Sequence, residues 1–283
     1  MKELDLTETG VGSEGLGALA SVLADGGCGI ETIALSGNEG ITPKATVELW
    51  EALCKGKCKV QAVSLGGCES AWDGQAVDRM AAALLKEGTS LSKIVLDGAA
   101  FGKLGLCEEV GSCIGGSTSV EIASVKECCL GDRGVGALSE SATPDTRLKS
   151  LDLMSNELTH LGMSDLLLCP LLKLERINLL NNKLGDSGVV TLVAALCQEA
   201  STREVCPLLQ DLDLGANDLS DQGALTLFRA LVDHPMLFPG LKTLVLPRPP
   251  PLPPPTQDSI ETCCLSPFPD FSSLPPCLET RVI

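Results

Sequence analysis

The chain has 283 residues and 44 % apolar content, enough for one large domain or two ordinary ones, yet only five Phe, two Trp and no Tyr. A core built on large rings is excluded; the apolar stock is Leu, Ile, Val and Ala, the material of an interdigitating repeat core. A net charge of −16, from 37 acidic against 21 basic residues, repels phosphate backbones and anionic lipid. Neither nucleic acid nor a membrane surface is therefore an expected partner, and a basic protein is favoured.

The chain opens on Met1-Lys2-Glu3 and runs at once into a charged, strand-like pattern rather than a secretory leader. Together with the absence of any Asn-x-Ser/Thr acceptor, this predicts a cytoplasmic protein whose fourteen cysteines remain thiols. The first element already carries the pattern that organises everything after it: apolar residues at positions 1, 4 and 6, a small polar residue at 9 and an apolar one at 11. Small or apolar residues follow at 15, 19 and 23. Here they are Met1, Leu4, Leu6, Thr9, Val11, Gly15, Leu19 and Leu23. Positions 4 and 6 lie two apart and share one face of a strand, while 15, 19 and 23 form one stripe of a helix. Further units start near Ile30, Val60, Leu91, Val120, Leu148, Leu174 and Leu209, with a partial ninth strand at Leu241, Leu244 and Leu246. Spacings run from 26 to 35 residues.

Position 9 holds Asn38, Asn156, Asn182 and Asn217, with Cys68 and Cys128 in the same place elsewhere. A side chain there is expected to satisfy backbone groups of the strand-to-helix turn. The fourth unit departs from the pattern. Ala99 and Phe101 stand where Asn and Leu belong, and Gly105, Gly111, Gly115 and Gly116 interrupt its helix, so a loose stretch is expected over 97–147. The first strand has no polar cap, which implies either a frayed unit or preceding sequence. Beyond Leu246 the composition turns to proline. Eleven of the seventeen prolines lie there, so residues 247–283 are expected to form a disordered tail, with polyproline II over its proline run. Arg248, Pro251 and Pro254 in that tail fit a ligand for polyproline-binding domains.

These repeats resemble the ribonuclease-inhibitor-like subfamily of leucine-rich repeats, in which a long repeat pairs each strand with a full helix. The resemblance covers about 1–246. It implies an α/β solenoid with parallel strands on the concave face and helices on the convex face, and a protein-interaction scaffold rather than an enzyme. It is also similar to the repeat regions of immune nucleotide-binding proteins and of the Ran GTPase activator. An enzyme inhibitor and a Ran-type GTPase-activating protein are therefore the alternative functions it implies.

Apparent chemical motifs are absorbed by the repeat. Gly10-Val11-Gly12-Ser13-Glu14-Gly15 fits a dinucleotide fingerprint, but Gly15 is the helix position also filled by Gly134, Gly188 and Gly223. Cys54 and Cys58, and the Cys128-Cys129 pair, lack neighbouring histidine, since His160 and His234 are the only two. No catalytic residue, cofactor or metal is expected. Positions 3, 5, 7 and 8 face outward from the strands and supply the candidate partner-binding residues. These are Glu3, Asp5 and Glu8 in the first unit, then Met154, Arg176, Asn178, Leu180, Asp211 and Asp213 in the sixth to eighth. Between the two sets lie small residues, Ala62, Ser64, Gly66, Gly67 and Gly98.

Overall fold

A computed structural model describes residues 1–26, 28–55, 59–169, 173–200, 209–233, 241–246 and 279–282, without the side chains of 168, 195–200, 231–233 and 279–282. Strand and helix alternate: β1(Glu3–Asp5), α1(Ser13–Asp25), β2(Thr32–Ala34), α2(Pro43–Cys54), β3(Ala62–Ser64), α3(Gly74–Leu84) and β4(Lys93–Val95). A divided helix follows, α4(Phe101–Leu104) and α5(Cys107–Gly115), then β5(Ile122–Ser124), α6(Gly131–Glu140), β6(Ser150–Asp152) and α7(His160–Leu168). The series continues with β7(Arg176–Asn178), α8(Gly185–Ala200), β8(Asp211–Asp213), α9(Asp221–Asp233) and β9(Thr243–Leu246). All strands join in sequence order into one parallel sheet, with equivalent repeat positions in register: Leu4 opposite Ile33, and Ile177 opposite Leu212.

Hydrophobic periodicity explains the core. Positions 4 and 6 stack from strand to strand as Ile33 and Leu35, Val63 and Leu65, Ile94 and Leu96, Leu151 and Leu153, all buried. In β1, which has a neighbour on one side only, Leu4 and Leu6 are half-buried. Each helix sends its stripe onto this stack, as Leu16, Ala20 and Leu23 do from α1. Gly15, Gly134 and Gly188 make room for position 11 of their own unit, and Gly223 makes room for Asp186 of the unit before. A Cβ on Gly134 would lie 2.6 Å from Leu130 Cγ, and one on Gly188 2.7 Å from Leu184 Cβ.

Neighbouring units are stitched by polar groups as well. Each position-2 carbonyl accepts two N–H groups of the next unit; that of Glu121 takes those of Lys149 and Ser150. Helix starts are capped across the repeat boundary. Asp132 of α6 accepts from the Thr159 and Gly162 N–H groups and the Thr159 hydroxyl at the start of α7 (2.8, 3.1 and 2.6 Å). Asp186 of α8 does the same for Ser220 before α9.

The glycine-rich fourth unit is compact. Its helix does divide at Gly105, which adopts a left-handed backbone (φ 70°). Beyond the break, α5 lies directly on α6, backbone to backbone. A Cβ on Gly111 or Gly115 would overlap the carbonyls of Gly134 and Leu138. Phe101 fills the leucine site and meets Trp72 edge-on at 5.2 Å.

The proline-rich tail 247–283 was expected to be disordered after its proline run. Its last segment instead forms a tenth strand, β10(Glu279–Val282), parallel to β9 with Thr280 opposite Leu244. The proline ligand residues Arg248, Pro251 and Pro254 lie outside the described residues.

Candidate protein-binding surface

Because side chains alternate along a strand, positions 3, 5 and 7 of successive units make three parallel rows on the concave face. The turn that follows fixes position 8 in the left-handed region in all eight units, from Glu8 (φ 54°) through Gly37, Gly67, Gly98, Glu127, Ser155 and Asn181 to Ala216 (φ 47°). Glycine in the second to fourth units relieves that strain. Of the small residues expected in mid-array, Gly67 and Gly98 therefore have a backbone cause.

Over β6, β7 and β8 the rows bring six of the predicted residues together. Arg176 stands between Ser150 and Asp211, and Asn178 between Asp152 and Asp213. Met154 and Leu180 are adjacent in the position-7 row, both half-buried. Leu180 leans over the next unit, so that a Cβ on Gly215 would lie 2.7 Å from its Cδ1 and 4.0 Å from Val245 Cγ1. Gly215 is thus the notch into which this apolar ridge fits. Arg176 pairs with Glu175, the residue before β7, at 3.6 Å.

The position-5 polar groups hold their own turns. Asp152, Asn178 and Asp213 accept the N–H of Met154, Leu180 and Gly215 at 3.2, 3.0 and 2.8 Å. These bonds set the angle at which the ridge is presented. Burial raises the pKa of Asp213 above the ordinary carboxylate value, the Gly215 N–H opposes that, and the charge of Asp152 adds to it. Asp152 belongs to the surface as much as Asp213 does. Its position 5 marked it in the sequence, where only the neighbouring Met154 was singled out.

Glu3, Asp5 and Glu8 are exposed on β1 and the turn after it, five strands from β6, about 24 Å at ~4.8 Å per strand. The structure does not join them to the other six. Asp5 is held below the usual carboxylate range by bonds from the Thr7 N–H and hydroxyl. A further polar group escaped sequence reasoning. Just beyond β4, Asp97 accepts from Ser124 Oγ of β5 at 2.6 Å and from the Lys126 N–H at 3.0 Å, and pairs with Lys126 Nζ at 3.2 Å. Only strand register reveals it, since the partners lie 27 to 29 residues apart.

Gly10 turns the chain with φ 74° and Gly12 precedes α1, so the apparent nucleotide fingerprint performs the ordinary turn of a unit. Eight cysteines among the described residues are free thiols, and burial raises Cys113 and Cys128 to about 12. Among the described residues no group of three or more His, Cys, Asp or Glu is placed to hold a metal. Nor is any described helix long and apolar enough to cross a membrane. A cavity of about 760 Å³ lies on the rim beside the strand starts and is lined chiefly by charged groups, Glu121, Arg147, Lys149 and Lys173 among them.

An open parallel sheet backed by helices, with one strand and one helix per unit, defines a leucine-rich-repeat solenoid. A family pattern described as a leucine-rich repeat matches residues 1–20, 146–167 and 205–228. Within that class the chain is similar to ribonuclease inhibitor and to NACHT-domain repeat proteins. The chain is 29 % identical over 264 residues to ribonuclease inhibitor from Sus scrofa, covering 82 % of this chain and 55 % of that protein. It is 26 % identical over 266 residues to NACHT, LRR and PYD domains-containing protein 3 from Homo sapiens, covering 85 % and 25 %. The chain thus spans about half the length of the first and a quarter of the second. A looser likeness, to the yeast complex of Rad7 and Elc1, has 13 % identity, a TM-score of 0.29 and 84 % coverage of both chains.

Proposed function

We propose that the chain is a cytoplasmic protein-interaction module without catalytic activity, and that it docks a protein partner on β6 to β8 of its concave face. The observation that carries this reading is the Met154–Leu180 ridge, half-exposed and seated over Gly215, beside Asp152, Asp211 and Asp213. An apolar anchor rimmed by carboxylates suits a partner surface of apolar and basic side chains. Changing Met154 and Leu180 together to Glu should abolish retention of partners from a cytosolic extract while leaving the circular dichroism spectrum unchanged. A double variant that keeps the same partners overturns the assignment of this face.

One more specific reading is favoured by the similarity to ribonuclease inhibitor, namely that the partner is a ribonuclease. Titrating the chain into a ribonuclease assay should then suppress activity stoichiometrically, and undiminished activity at micromolar chain removes this reading while leaving the first intact.

A further inference from the structure

The outer edge of β9 is covered by a short strand from the far end of the tail. β10 runs parallel to β9 through four register pairs, from Glu279 opposite Thr243 to Val282 opposite Leu246. Residues 247–278 connect the two strands in sequence, and seven prolines fall within 247–255. β10 also fits the ladder poorly. At position 4 the nine preceding strands carry Leu, Ile, Val or Ala, from Leu4 to Leu244, whereas β10 places Thr280 there. Pro275 and Pro276, which lack N–H donors, bar the ladder from extending backward. A four-residue strand with a polar residue in a core register, tethered through a long connection, forms a weak rung. The strand beneath it is better anchored: β9 is in register with β8 on its other side and keeps an aliphatic residue, Leu244, at position 4.

We infer that the β9 edge is a strand-docking site, kept closed in cis by β10, and that its occupant in trans is an extended protein segment with an aliphatic residue at the Thr280 register. Such a segment would displace β10 and continue the parallel sheet, its main-chain bonds supplying affinity and the aliphatic residue selectivity. Because β10 belongs to the same chain, its pairing is intramolecular, which protects the edge from casual pairing and is overcome by a better-fitting strand. This site lies at the end of the sheet and does not depend on the concave-face reading.

The test compares the full chain with one lacking 279–283, using a fluorescent peptide of sequence Leu278–Ile283 and its T280I form, read by anisotropy. The truncated chain should bind both peptides, the T280I form more tightly, and the full chain should bind either at least tenfold more weakly. Equal binding by both chains overturns the inference, as does no binding by a truncated chain that retains its circular dichroism spectrum and melting transition. Should the truncated chain not fold, the full-length Thr280→Pro variant takes its place. It should bind peptide better than the unaltered chain, and failure to do so is equally fatal.

Discussion

Asn38, Asn156, Asn182 and Asn217 each accept on Oδ1 the backbone N–H of position 11 in the unit before, from Val11, Leu130, Leu158 and Leu184 respectively. Their Nδ2 groups donate to the position-6 carbonyl of that unit, Asn156 to Val125 and Asn182 to Leu153. Cys68 and Cys128 repeat only the second task, donating to the carbonyls of Leu35 and Leu96. In the units before the exceptions the turn closes on itself. Ile41 and Ala71 donate to the carbonyls of Asn38 and Cys68, and Phe101 to that of Ala99, so no side-chain acceptor is required from Cys68, Ala99 or Cys128. The residue at position 9 therefore reports the turn of its predecessor. Asn156→Cys keeps a donor but strands the Leu130 N–H, and should cost about 1–3 kcal/mol in urea unfolding. Cys68→Ser and Cys128→Ser should each cost less than that.

At the scale of elements, the strand-helix alternation was legible because the repeat imposes both periods, two along the strand and near four along the helix. The fourth unit was not, since glycine has the same signature in a loose segment and in a close helix contact. What decides between them is the partner, and α6 offers bare backbone at Gly134. The concave ridge was legible for a related reason: Met154 and Leu180 share a repeat position, so reading the units side by side paired them. Neither Asp97 with Lys126 nor Gly215 beneath Leu180 was found, because each depends on reach across strands. β10 was hidden by Thr280, which breaks the apolar pattern, and by the prolines before it. The two kinds of glycine can be separated by experiment. Alanine ordinarily stabilises a helix interior by about 1 kcal/mol over glycine, and Gly17→Ala should gain up to that amount. Its Cβ would meet only the flexible tip of Glu48, at 3.1 Å. Gly111→Ala drives a methyl into a fixed carbonyl and should lose about 2 kcal/mol despite the same propensity gain. Denaturation midpoints for the two variants should move in opposite directions.

Across the whole molecule the net charge is −16, and acidic side chains of neighbouring units share the concave face. Asp152 and Asp213 face the same concavity from strands two apart, about 10 Å, and neither forms an ion pair among the described residues. Asp213 is half-buried there, and its ionised form is disfavoured by desolvation and then by Asp152. A carboxyl whose pKa is raised on folding costs stability above the raised value. It costs nothing once the pH falls below the ordinary carboxylate range, where folded and unfolded chains are both protonated. Asp213→Asn keeps the acceptor for the Gly215 N–H and removes the charge. It should therefore melt higher than the unaltered chain at neutral pH, by roughly 1–2 °C because solvent on the open face screens the effect. The difference should vanish near pH 3. If a basic partner is what offsets that retained charge, the same variant should bind it more weakly, with the loss concentrated in the association rate and shrinking as salt is raised. Stopped-flow association at low and high ionic strength reads both. A variant that gains stability and loses nothing in binding would place the partner elsewhere on the solenoid.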